Sequence, residues 1–277
     1  MGSFTHTYAP GWPGIKATWN SSKKTGVGVS LNPLSRVWFT TSRGILNEIY
    51  YPRVDYGCIR DIGFLVSDGK NFFSEEKKDT QSKLKYIEEG APAYRFINTC
   101  KQKKYQIEKE ILTDPVRDSL IQQVKFNALK GENKDYHLYV LMAPHIMNAG
   151  GGNTSWCGKY KGVDMLFAER KGISIAMACS IPFKNRSAGF VGVSDGWQDI
   201  SKNKKLTQCY RYAENGNTAV CAEIDLEAAG DQPFVIAVGF GMNPKEAGQR
   251  ALASILDDFD RAKSLYIKDW VDFQETV

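Results

Sequence analysis

Residues Tyr105–Phe126 read YQIEKEILTDPVRDSLIQQVKF. Tyr105, Ile107 and Ile111 share one side of an extended chain while Gln106, Glu108 and Glu110 point away, and Leu120, Val124 and Phe126 repeat the two-residue period of a half-buried strand. The pattern extends in both directions. Upstream, Tyr94 and Phe96 share a face, and Ile62–Val66, Asp68-Gly69 and Asn71–Phe73 read as a hairpin whose turn needs positive φ. Downstream, Tyr136, Leu138, Val140 and Met142 alternate, as do Val220, Ala222, Ile224 and Leu226. Met165 and Phe167, the turn Lys171-Gly172, then Ile173, Ile175, Met177 and Cys179 give another hairpin, and Phe234–Phe240 is apolar throughout, as expected of a strand covered on both faces. Many short strands that do not alternate with helices predict a mainly β fold, a large antiparallel two-sheet sandwich.

The pattern changes at Asn243, a good N-cap followed by Pro244 and, three residues after the cap, Glu246. Ala247, Ala251, Ile255, Phe259, Ala262, Tyr266, Trp270 and Phe273 then fall on one helical face, in one long helix or in two joined near Asp257-Asp258. This predicts a sandwich over 1–242 and a helical linker over 243–277. The absence of a stop signal before Val277 reads as truncation at a linker, with the face near Trp270 and Phe273 lacking the partner it was built to pack on. At the other end, Tyr8–Ser30 is rich in Gly, Pro, Ser and Trp and is expected to be turning chain pinned by Trp12 and Trp19.

Composition narrows the function classes. The 277 residues carry 36 basic and 31 acidic groups, a net charge of +5 spread along the chain. Lys101–Lys104 and Lys202–Lys205 read as solvated loops, and no nucleic-acid-binding signature is present. Six widely spaced cysteines and three histidines (His6, His137, His145) show no metal spacing, so no metal or cofactor is predicted, although calcium and disulfide pairing stay undecided. No apolar run approaches the roughly 20 residues of a membrane span. Met1-Gly2-Ser3 reads as a cloning remnant, which leaves a secreted or periplasmic location open. The loop Asn148–Thr154, NAGGGNT, lacks the Lys-Ser or Lys-Thr of a phosphate cradle and reads as a tight, close-packed turn.

A sugar hydrolase needs two carboxyls flanking the scissile bond. The candidates are Glu48, Asp55, Asp61, Glu75, Glu76, Asp195 and Asp199. Glu75-Glu76, beside lysines, reads as an exposed turn. Glu48 and Asp55 keep company with Asn47, Tyr50, Tyr51 and Arg53, a mixture that suits a wet interface first, sugar contact second and acid–base work least. Trp197, between Asp195 and Asp199, could stack on a sugar ring; a buried or interface tryptophan after an Asp-Gly turn is the commoner outcome.

Five stretches, APGWPGIKATWNSSKKTGVGVSL (9–31), SRVWFTTSRGILNEIYYPRVD (35–55), DIGFLVSDGKNFFSEEKKDT (61–80), NAGGGNT (148–154) and GFVGVSDGWQDI (189–200), occur in an order that resembles the amino-terminal domain of bacterial glucoamylases and glucodextranases of glycoside hydrolase family 15. The resemblance implies a super-β-sandwich joined by a helical linker to an (α/α)6 barrel. That barrel would carry both catalytic glutamates and release glucose, with inversion, from the non-reducing ends of α-glucans. No catalytic-glutamate motif matches any position here, so no catalytic residue is carried over. The chain alone is expected to be inactive, and its partners are expected to be its own barrel and, through it, α-glucan, with no nucleic acid and no membrane. Asn47–Asp55 would be the docking or active-site-rim loop, and Tyr266, Trp270 and Phe273 the packing face of the linker helix. The alternative is a carbohydrate-binding module with its own α-glucan site around Trp197.

Overall fold

The structure, a computed structural model, describes residues 4–276. Two sheets face each other. The larger has ten strands in the order His6–Tyr8, Tyr210–Gly216, Asn153–Tyr160, Val163–Arg170, Ile173–Cys179, Phe234–Gly241, Ser119–Ala128, Tyr105–Thr113, Tyr94–Cys100 and Thr80–Tyr86. The smaller has eight: Phe183–Phe190, Thr218–Ile224, His137–Pro144, Gly57–Ser67, Ile45–Tyr50, Trp38–Ser42 and Gly26–Val29 in order, with Phe73–Glu75 pairing on Gly57–Ser67. All pairings are antiparallel except that of His6–Tyr8 with Tyr210–Gly216.

Strand alternation sorts the side chains. Ile107, Ile111, Val124 and Phe126 meet Phe64, Val66, Leu138 and Val140 in the core between the sheets. The residues on the opposite side of each strand form smaller clusters on the two outer faces. The central strand Phe234–Gly241 is covered twice: Ile236, Val238 and Phe240 enter the main core, and Ala237 packs under the C-terminal helices.

There are two such helices, Pro244–Leu256 and Phe259–Glu275. The Asn243 side chain accepts the Glu246 N–H at the first start, and Asp258 accepts the N–H groups of Asp260 and Arg261 at the second, so the junction at Asp257-Asp258 is a true break. Both lie on the ten-stranded sheet. Gly239 makes the first contact close, because a Cβ there would sit 2.3 Å from the Ala247 carbonyl oxygen.

One expectation is corrected in the core. Glu75 and Glu76 are buried, and Glu76 is wholly enclosed. Lys109 projects inward from Tyr105–Thr113 and pairs with Glu76 at 2.7 Å. Lys109 Nζ and Asn98 Nδ2 each donate to the Gly44 carbonyl at 2.8 Å, and Glu76 also accepts from Asn98 and from the Phe64 N–H. The pair thereby holds the tight turn Arg43-Gly44, both residues at positive φ. A buried charge persists only when paired and hydrogen-bonded in this way. A second short helix, Gly196–Asn203, replaces the Asp-Gly turn expected at 195–196; Asp195 is its N-cap.

Candidate functional site on the eight-stranded sheet

Asp61, Gly63 and Leu65 on one strand and Leu141 and Ala143 on its neighbour point away from the core, as the two-residue period requires. With Ile45 and Ala219 they floor a cavity of about 230 Å³. Glu75, Lys77 and Lys78 form one wall, Asp195, Trp197 and Gln198 another, and Ile15 closes a third side.

The charged groups around this cavity are engaged with one another. Asp61 accepts from Asn20 Nδ2 at 2.7 Å and pairs with Lys77 at 2.9 Å and Arg60 at 3.3 Å. Burial alone would raise its pKa; Arg60 and Lys77 outweigh it and hold the carboxyl below its ordinary value. Glu75 accepts the Trp197 indole N–H at 2.9 Å and pairs with Lys78 at 2.7 Å and Lys77 at 3.5 Å. Asp195 accepts backbone N–H groups from Gly192, Trp197 and Gln198. Its burial outweighs these donors and raises its pKa.

Trp197 lies edge-on to Phe73, ring centroids 5.9 Å apart, with the Lys78 ammonium 5.3 Å from its own ring centroid. Trp197 and Asp195 therefore share the cavity. Asp199 does not: it accepts the N–H groups of Thr207 and Gln208 at 2.6 and 2.7 Å and anchors the chain that follows the helix.

The lead-in forms a strap across this face. Ile15 N–H donates to Val191, Asn217 donates to Ile15, and the Trp12 indole N–H donates to the Asn215 carbonyl. Trp19 rests edge-on against His145, centroids 4.8 Å apart. His145 is buried, and neither ring nitrogen has a hydrogen-bond partner among the described residues. Burial first, and then the charge of Arg60, push its pKa down to about 4. A lone histidine after a strand carries no sequence signal, and its position became visible only with the strap in place.

The stretch expected to be a rim loop divides. Asn47 is buried in strand Ile45–Tyr50 and donates to the Ser21 carbonyl. Glu48 pairs with Lys24 at 2.8 Å and accepts the Tyr50 hydroxyl. Tyr50 titrates above its ordinary value, through burial first and the Glu48 carboxylate second. Tyr51 is wholly buried and stacks on Phe240 at 5.3 Å; its hydroxyl lies 3.3 Å from Arg36 and 3.4 Å from Arg250. Those two guanidiniums share the buried carboxylate of Asp118. Asn47 and Tyr51 are thus internal, because the strand continues to Tyr50 and the Tyr51 ring is needed under the ten-stranded sheet. Only Arg53 and Asp55 are on an exposed loop, paired at 2.9 Å. Asn148 joins that loop to the glycine loop, donating to the Asp55 carbonyl at 2.7 Å and accepting the Gly57 N–H at 2.8 Å.

The linker-helix residues pack on the sandwich itself. Tyr266 is buried and donates to the Val29 carbonyl at 2.8 Å, Trp270 donates to the same oxygen at 3.1 Å, and Phe273 remains about half exposed. Among the described residues there is no cluster of three or more His, Cys, Asp or Glu that could hold a metal ion, and the six cysteines are buried thiols. Among the described residues no helix is long and apolar enough to cross a membrane.

The sequence profile of the glucodextranase domain N family matches residues 9–275. This chain belongs to that family. A glucoamylase of Clostridium sp. (strain G0005) is 39% identical to the domain over 267 residues, which are 96% of this chain and 38% of that enzyme. A crystal structure of a bacterial glucoamylase complexed with acarbose superimposes with a TM-score of 0.94 at 37% identity, covering 98% of this chain and 40% of that one. The domain N chain therefore spans about two-fifths of each relative's length. Four of its five family-like stretches, distant in sequence, meet at the outer face of the eight-stranded sheet, namely the strap, Ile45–Glu48, Asp61–Lys78 and Val191–Gln198; the fifth reaches the strap at Gly150, where a Cβ would lie 2.3 Å from Ala17 Cβ.

Proposed function

We propose that this domain is the non-catalytic amino-terminal part of a glucoamylase-type α-glucan hydrolase, whose catalytic barrel it stabilises and to whose active-site rim it lends the Arg53–Asp55 loop. The observation that carries this reading is the state of the carboxylates in a chain that aligns, along nearly its whole length, with two-fifths of a glucoamylase. An inverting glycosidase needs an acid and a base with a water between them, about 6.5–9.5 Å apart. Here Asp61 and Glu75 hold the same ammonium of Lys77, and Asp195 caps a helix.

The test is a fusion in which this chain replaces the 267 matched residues of the Clostridium enzyme. The chain alone should release no glucose from maltodextrin and the fusion should release it. Arg53→Ala should lower kcat/KM of the fusion without changing its melting; identical kinetics would remove the loop from the rim. Trp197 in a cavity favours a second reading, a sugar-binding module, and isothermal titration of the chain with maltoheptaose separates the two.

A further inference from the structure

We infer that the cavity beside Trp197, with the apolar residues around its mouth, is the socket on which the catalytic part of the parent enzyme docks, one of that part's apolar side chains filling the cavity. This rests on the accessory-domain reading and deepens it by assigning the contact to one face.

The polar chemistry of the cavity is already saturated within the chain. Asp61, Glu75 and Asp195 have their partners, and the three cations that line it, Arg60, Lys77 and Lys78, are all in ion pairs with Asp61 or Glu75. Among the described residues, the lining polar side chain without a hydrogen-bond partner is Gln198. A sugar ring presents hydroxyls on every side and needs several unoccupied donors and acceptors, since a polar group buried without a partner is costly. What the cavity does offer is Leu65, Leu141, Ala143, Ala219 and Ile45, a lining suited to an aliphatic or aromatic side chain.

The mouth matches that occupant. Trp12, Ile15 and Val193 are 66%, 55% and 50% exposed, although solvent gives such residues no reason to gather. Ile15 lines the cavity, and a Cβ on Gly11 would lie 2.3 Å from Val193 Cγ1, which places Val193 against the strap one residue before Trp12. An apolar centre with an aromatic anchor, ringed by satisfied charges such as Lys78 and Arg60, has the composition of an interface hot spot. The opposite sheet already carries the two C-terminal helices. More than half of each glucoamylase relative lies outside the match, so a parent of that kind brings a large second body that needs a surface.

Hydroxyl-radical labelling of the fusion described above tests the socket. Trp12, Ile15 and Val193 should label about ten-fold more slowly in the fusion than in the chain alone, as for residues in a fully buried interface core. The double variant Ile15→Asp, Val193→Asp should abolish that protection while leaving the urea midpoint of the isolated chain unchanged. An active fusion in which these residues stay fully reactive overturns the socket and leaves the accessory reading standing. A folded fusion that releases no glucose counts against both. Should the fusion fail to fold, the intact Clostridium enzyme and its own amino-terminal domain, labelled at the aligned positions, give the same two outcomes. Saturable maltose binding lost in Trp197→Ala, or a dimer of this chain lost in the double variant, would assign the cavity to a sugar or to a second copy and overturn the proposal.

Discussion

The two outer faces of this sandwich are covered in opposite ways. On the ten-stranded sheet, Ala176, Ala178, Ala237 and Gly239 leave a shallow bed, and two helices with defined caps seat into it through Ala247, Ala251, Phe259 and Tyr266. Polar ties add to this packing, some buried, such as Ser119 Oγ with Ser254 Oγ at 2.7 Å, and some at the margin, such as Lys263 with Glu110 at 2.9 Å. On the eight-stranded sheet the outward positions include Asp61 and His145, and the cover is irregular chain and the short helix Gly196–Asn203, with a cavity left between the pieces. Small strand residues admit regular helix packing; large or charged ones leave room that another body can use.

Substitutions can break this contrast. The largest effect is expected at Gly239→Val, where the added carbons collide with the Ala247 carbonyl and the Ala251 nitrogen; backbone cannot yield as a side chain would, and urea denaturation should show a loss of about 3 kcal/mol. Next comes acid. The His145 pKa is lowered from 6.5 to about 4 in the fold, so between these values the unfolded chain takes up a proton that the folded chain refuses. Stability should therefore fall as pH drops from 6.5 to 4 and this contribution should level off below 4, by on the order of 3 kcal/mol in full. His145→Leu should flatten that part of the curve; an unchanged pH profile would mean that the strap opens and lets the ring titrate normally. Trp197→Phe keeps the contact with Phe73 and loses the donor to Glu75, for about 1 kcal/mol in chemical denaturation. Arg53→Ala removes an exposed ion pair and should change stability by less than about 0.5 kcal/mol.

Much of the helical face was legible in advance. The alternation of Tyr105, Ile107 and Ile111, the unbroken run at Phe234, and the cap at Asn243 are local signals, and local signals survive in a linear reading. The strap face was less so. Glu76 looks exposed in SEEKKD because its partner Lys109 lies far along the chain on the opposite sheet. The helix at Gly196 was missed because eight residues with Trp197 and Ile200 as their large apolar members give too short a period to distinguish from a turn. The burial of Tyr51 depends on Phe240, Arg36 and Arg250, none of them its sequence neighbour. Resemblance marked all five stretches, but only the fold shows that four of them form one surface.

Asp118 connects the two faces mechanically. Its carboxylate is almost wholly buried and is gripped by Arg36, two residues before strand Trp38–Ser42, and by Arg250 on helix Pro244–Leu256. Releasing one guanidinium leaves the carboxylate to the other; releasing both would leave a charge without compensation in the interior, which costs several kcal/mol. Both guanidiniums also reach the Tyr51 hydroxyl, and Tyr51 lies two residues before Arg53. One shared anion thus ties the C-terminal helix on one sheet to the chain leading into the Arg53–Asp55 loop, which joins two interior strands of the other.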